Sequence, residues 1–365
     1  MRQSIVLLFL ALSWTTGCAH KWVPSLPASH GRLSQVHGQL LGSEDESSDR
    51  ILPAHVPLFN PKVDGDLPPD KARAEFESAV ALLKGTPSEA QVRQASVALS
   101  VACASDWFEA CDYLRLNARR PERIEGPGFP HPPPGLFLTQ GPKFVVIQGR
   151  VDTDGSMRNM RVVETPNTAY ADALAQYLVQ TRFRPVTLAG HPIAHTYAFT
   201  FVLSSPNDHM RQKPTLAEAR HRAEHFSESG PAWADFSGGL AAEMQEGADY
   251  VTALQRLNAL APAYWWSAGE LAWQYVQAGR YSDAKPLARM ARRMAPDNPY
   301  VLETLAAVWR NTGRCAEALK EQETAVAKLH EQWPREERER FQRTLADYQR
   351  ACQATAKTAP GAGTS

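Results

Sequence analysis

FVVIQGRVDTDGSMRNMRVVETPNTAYADALAQYLVQTRFRPVTLAGHPIAHTYAFTFVL, residues 144–203, is the stretch that decides the fold. It reads as strand, tight turn, strand, helix, extended crossover and long strand. Val145, Ile147 and Val151 alternate with Gln148 and Arg150, which gives the first strand one apolar face. Asp152-Thr153-Asp154-Gly155 supplies turn residues, with a glycine free to take positive φ. Met160 and Val162 give the second strand its inward face. Asn167 or Thr168 caps a helix, along which Tyr170, Ala173, Leu174, Tyr177, Leu178 and Thr181 form one stripe facing a sheet. In the last strand Tyr197, Phe199, Phe201 and Leu203 alternate with Thr196, Ala198 and Thr200.

A series of short elements runs through this stretch: Gly149-Arg150-Val151, Asp154-Gly155, Val162-Val163, Arg182-Phe183-Arg184-Pro185, Gly190-His191-Pro192 and Phe199-Thr200-Phe201. In order and spacing the series resembles the C-terminal domain of TonB-family energy transducers. The family's usual Tyr-Pro opening is absent, and residues 126–135, GPGFPHPPPG, stand in its place. The resemblance implies a small antiparallel β-β-α-β domain over residues 136–205, able to accept a strand from an outer-membrane protein.

The chain has 365 residues, enough for two or three domains with their own cores. Lys and Arg number 39, as do Asp and Glu, so there is no electrostatic case for nucleic acid or an anionic membrane surface. Arg2, the apolar run from Ile5 to Trp14 and Thr15-Thr16-Gly17-Cys18-Ala19 read as an export signal over residues 1–18. Gly17-Cys18 resembles the end of a bacterial lipobox, although Thr15 stands where the box usually has leucine. That resemblance implies a lipid on Cys18 and, with Ala19 following, anchorage in the outer membrane facing the periplasm. Ordinary cleavage after Ala19 is the alternative, leaving a periplasmic protein.

Residues 19–69 are polar and aperiodic and read as a disordered tether. Residues 70–122 carry helical stripes: Ala72, Phe76, Val80 and Leu83, then Val92, Ala95, Ala98 and Leu99, then Phe108, Cys111, Tyr113 and Leu114. Cys103 and Cys111 flank a turn at Ser105-Asp106, a spacing similar to the disulfide-bridged helical hairpins of Sel-type repeats. Export favours a bridge, with two buried thiols or a metal pair as the other readings. Residues 123–135 read as a stiff proline-rich linker.

From residue 206 to 354 the pattern is helical. Leu271, Ala272, Tyr275, Gly279, Tyr281, Ala284, Ala291 and Pro296 are followed thirty-four positions on by Leu305, Ala306, Trp309, Gly313, Ala318 and Ala325. This is similar to tetratricopeptide repeats and implies a short α-solenoid, with a degenerate earlier unit marked by Ala253 and Pro262. A bend at Trp333-Pro334 folds the chain so that Cys315 and Cys352 come level, which predicts a second disulfide. Trp265, Trp266, Trp273 and Trp309 read as repeat packing, and residues 355–365 as a disordered tail. The fold class expected is therefore α+β and multidomain.

One motif points to chemistry. His221-Arg222-Ala223-Glu224-His225 spells H-x-x-E-H, similar to inverted zinc peptidases, in which two imidazoles hold zinc and the glutamate acts as base. Glu303 stands at a suitable distance along the chain for a third ligand. The surrounding sequence departs from such a peptidase, and a solvated helix face is the reading adopted. His191 and His195 read as loop residues. No phosphate loop and no nucleophile elbow occurs, so neither a cofactor nor a catalytic residue is expected. The expectation is a non-catalytic envelope lipoprotein that binds other envelope proteins, an outer-membrane receptor or an assembly factor. A TonB-type energy transducer serving transport across the outer membrane is the second reading, and the zinc peptidase the third.

Overall fold

The computed structural model describes residues 58, 65–137, 143–203, 215–243, 247–262, 264–329, 333 and 335–358. The expected export signal, Cys18 and most of the expected tether lie outside the described residues. Three helices come first: α1 (Pro69–Leu82), α2 (Glu89–Ala104) and α3 (Phe108–Asn117). Pro69 suits the first turn of α1, where a missing N–H is no loss. A capping box opens α2, with the Ser88 amide donating to Gln91 Oε1 at 2.9 Å. The chain then turns extended sooner than expected. The strand β1 (Ala118–Arg119) ends the helical segment, and β2 (Glu122–Glu125) occupies the start of the expected linker.

The sheet module follows. β3 (Lys143–Val151) lies between β4 (Met157–Glu164) and β8 (His195–Leu203), all antiparallel. α4 (Thr168–Gln180) covers one face with Tyr170, Ala171, Leu174 and Leu178. Its cap is Asn167, whose Oδ1 accepts from the Tyr170 amide at 2.8 Å. Ala173, expected in the buried stripe, is exposed. Three short strands, β5 (Arg182–Arg184), β6 (Val186–Leu188) and β7 (His191–Ile193), make up the crossover. The turn at 152–155 is tight because Gly155, at φ +81°, brings the hairpin against β5. A Cβ there would stand 2.0 Å from the Phe183 carbonyl oxygen.

The second strand departs from simple alternation. Its pairing with β3 slips twice, and Asn159 takes φ +52°. Met157 and Met160 therefore face inward, while Val162, expected inside, is 38 % exposed. Gly149 permits this, since a Cβ on it would meet the Met157 methyl at 2.3 Å.

The residues expected to form a linker are stitched to the module. β2 pairs with β5, Tyr170 donates its hydroxyl to the Pro130 carbonyl at 2.9 Å, and Leu136 is buried in the module's core.

Beyond the module lie α5 (Leu216–His225), α6 (Gly230–Ala242), α7 (Ala248–Leu260), α8 (Trp265–Gln277), α9 (Tyr281–Met294), α10 (Pro299–Asn311), α11 (Cys315–Ala327) and α12 (Arg335–Thr358). α8 and α10 begin thirty-four residues apart, and so do α9 and α11. Gly279 and Gly313, at φ +71° and +81°, end the first helix of each pair at equivalent places. Ala272, Ala284, Ala306 and Ala318 are fully buried, which lets the helices cross closely. α12 continues past Cys352 and through 355–358, where a tail was expected.

The two helical segments, far apart in sequence, share one core that also takes in Val186, Leu188 and Ile193 of the crossover. The module's own core is separate. The join between α2 and α9 is polar. Arg289 bonds Asp66, Asp106 and the carbonyls of Gly65 and Ala104, and Arg293 reaches the same Ala104 carbonyl and Asp106. Burial pushes the Arg293 guanidinium down to about 10. Part of the expected tether is thus docked, since Leu58 is also buried and its carbonyl accepts from Ser96 at 3.1 Å.

Candidate functional site

β8 is the end strand of its sheet. It pairs along its whole length with β3, from Leu203 opposite Lys143 to His195 opposite Val151, and with no described strand on its other side. An end strand presents a row of backbone donors and acceptors on which a further strand can build. β8 also keeps apolar surface beside that row. Tyr197, Phe199 and Phe201 lie on the face that α4 covers over β3 and β4, yet all three are only partly buried. Phe183 packs on Phe199 with ring centroids 5.2 Å apart, and Tyr197 on Phe199 at 5.0 Å.

Phe129, from the expected linker, extends this ladder into a ledge. Its ring lies 5.7 Å from Phe201 and 5.5 Å from Tyr177, and it remains 46 % exposed. Arg123 stands over the Tyr177 ring at 5.6 Å. Aromatic side chains that stay exposed next to an unpaired backbone edge can take the alternate side chains of an added strand.

His195, expected in a loop, opens β8. Burial, helped by the Arg93 charge, holds its pKa below the ordinary 6.5. In the unfolded chain the ring titrates at its ordinary value, so the unfolded state takes up the proton first. This contribution to stability is complete above about pH 6.5 and declines as the pH falls, until the buried ring is itself protonated. The melting midpoint is expected to drop from pH 7 to pH 5.5, and to drop less in His195→Asn. Equal slopes in the two proteins would refute this.

The back of the sheet is closed by a charged clamp. Arg222 of α5 donates from Nε and Nη2 to the Glu164 carboxylate at the end of β4, and from Nη1 to Asp235 of α6. Ser229 donates its hydroxyl to the same Glu164, and the guanidinium stacks 3.8 Å from the Phe144 ring. Glu164 is only 2 % exposed. In the motif HRAEH the polar residue that the structure engages is thus the arginine, beside Ala223, which is buried in the core.

The histidines of that motif lie outside. His221, Glu224 and His225 are exposed on α5, with the two imidazole rings 6.0 Å apart. Glu303 is not beside them. It is buried in α10 and receives Arg340 at 2.6 and 3.0 Å. Among the described residues no group of three His, Cys, Asp or Glu side chains gathers around a point. His191 holds the crossover to α1, its Nε2 3.0 Å from the Leu83 carbonyl oxygen.

The four remaining cysteines pair as Cys103–Cys111 and Cys315–Cys352, with Cα atoms 4.8 and 5.7 Å apart. The helices of the repeat region pack tightly. Every residue of α10 from 299 to 309 is buried, and Trp333 and Phe341 pack on Tyr300 there. Trp265, Trp266 and Trp309 are buried and Trp273 partly so, which makes them packing residues.

Sequence reasoning missed Phe129, Arg222 and the Arg289–Arg293 pair. Only Phe129 carried a signal, as the single aromatic in a proline-rich run. Comparison with family models, with curated proteins and with solved structures finds no match to this chain.

Proposed function

We propose that the protein is a non-catalytic bacterial cell-envelope lipoprotein that binds another envelope protein by accepting an extended segment along β8. The observation that carries this reading is the outer edge of β8, beside which no described strand lies, with the exposed Phe129 ledge next to it. The TonB-like order of elements supports the same mode of binding. The helical part is read as a tetratricopeptide-like body that carries the module. Both disulfides support export to an oxidising compartment. The resemblance of Gly17-Cys18 to a lipobox supports a lipid on Cys18 as the anchor, and among the described residues no helix is long and apolar enough to cross a membrane.

The test places a photo-cross-linking amino acid at Ala198 in the mature protein within intact envelopes, beside the same protein carrying Phe129→Ala. A partner cross-linked at Ala198, with capture reduced about thirtyfold by Phe129→Ala, is the expected result, since a central aromatic contact contributes about 2 kcal/mol. Phe129 is half exposed, so melting should barely change. Cross-links that arise equally at the helical face, or capture indifferent to Phe129, would defeat the reading. Recovery of an outer-membrane transporter would turn it toward energy coupling, and recovery of an assembly factor toward scaffolding.

A further inference from the structure

We propose that His221 and His225 on α5 form a two-imidazole site for a borderline divalent cation, Zn2+, Ni2+ or Cu2+, with water in the remaining positions. The inference does not rest on the β8 edge. Residues four apart on a helix share a face, and imidazole is the side chain these metals prefer. The two rings already lie near parallel, 23° apart with centroids separated by 6.0 Å. Both side chains are exposed, so small χ rotations suffice to turn two ring nitrogens toward one ion.

The surroundings permit a cation. Three described guanidinium groups on or near α5 are paired with carboxylates: Arg222 with Glu164 and Asp235, Arg220 with Asp249 at 2.6 Å, and Arg161 with Glu228. Glu224 adds an exposed carboxylate on the same turn. With no third protein ligand gathered, the site chelates without enclosing the ion, unlike a structural or peptidase zinc centre.

Chelation across one turn has a mechanical consequence. The ion binds only the helical form of residues 221–225, so binding and helix formation are linked. α5 is ten residues long and carries the Arg222 clamp on the face next to the two histidines. Occupancy therefore stiffens the element that holds the sheet module to the helices.

The experiment titrates untagged, chelator-treated full-length protein with ZnCl2 or NiCl2 by calorimetry, beside His221→Gln and His225→Gln. One ion per chain is expected, with affinity at least tenfold weaker in either variant. Amide exchange of residues 216–225 should slow on adding metal in the native protein alone. Because both positions are exposed, the variants should fold normally, which circular dichroism checks. Binding unaffected by either substitution, binding only at millimolar metal, or unchanged exchange over α5 would overturn the proposal.

Discussion

Arg222→Met is expected to destabilise the protein by about 3–5 kcal/mol, the loss seen when one partner of a buried ion pair is removed. Methionine roughly preserves the volume against Phe144 but leaves Glu164 and Asp235 without their counter-charge. Glu164 is 2 % exposed and keeps the Ser229 hydroxyl as a donor, so its carboxylate is left without a counter-charge in a dry setting. Burial acts to lower the Arg222 pKa, and the Asp235 and Glu164 charges outweigh it, so the guanidinium stays charged throughout. Arg222→Lys should rescue little, because an ammonium cannot bridge Glu164 and Asp235 in the plane of the fork. Glu164→Gln combined with Arg222→Met should cost less than the two changes added together. Urea denaturation followed by two probes gives the sharper check. The clamp joins the sheet module to the helices, so its loss should pull apart the module and helix transitions, which are expected to coincide in the native protein. A single coincident transition with under 1 kcal/mol lost would show that apolar packing alone seats the module.

The clamp also shows what sequence does and does not display. Alternation identified β3 and β8, and a thirty-four-residue period located α8 to α11, because each pattern records which side of an element is buried. Such a pattern does not record what lies against that side. Phe129, Arg222, Arg289 and Arg293 meet partners that are distant along the chain, and a polar residue buried by a long-range partner leaves no periodic trace. Val162 failed for a local reason: Gly149 and the positive φ of Asn159 let β4 bulge and so changed its inward residues. The candidate site divides in the same way. The β8 strand was legible, but the ledge on it came from a segment that composition marked as a linker. The repeat located the helices, but the contacts of Phe341 and Arg340 with Tyr300 and Glu303 of α10 are long-range and left no trace in it.

Replacing Cys315 and Cys352 together by serine is expected to cost about 3–4 kcal/mol, the chain-entropy value for the loop closed by this bridge. The bridge spans a sequence separation of 37, against 8 for Cys103–Cys111, whose loss by the same relation costs about 2.5 kcal/mol. The difference in what each bridge protects should be larger still. Cys103–Cys111 closes a turn whose Asp106 is also held by Arg289 and Arg293. Cys315–Cys352 ties down α12, and α12 covers α10. Arg340 is held in turn by Glu303 and Glu337, while Gln322 donates to the Phe341 carbonyl at 3.2 Å. Opening the bridge frees the far end of α12 first and should then expose the buried Glu303 carboxylate at its near end. Hydrogen exchange should therefore accelerate over residues 335–352 and, to a smaller degree, over 299–309, with α1 to α3 unchanged. If exchange rises only around residue 352, the Tyr300–Trp333–Phe341 cluster and the Arg340 pairs hold α12 without the bridge. The disulfide would then act on the unfolded chain alone, and the cost should appear in the denaturation midpoint with no local opening.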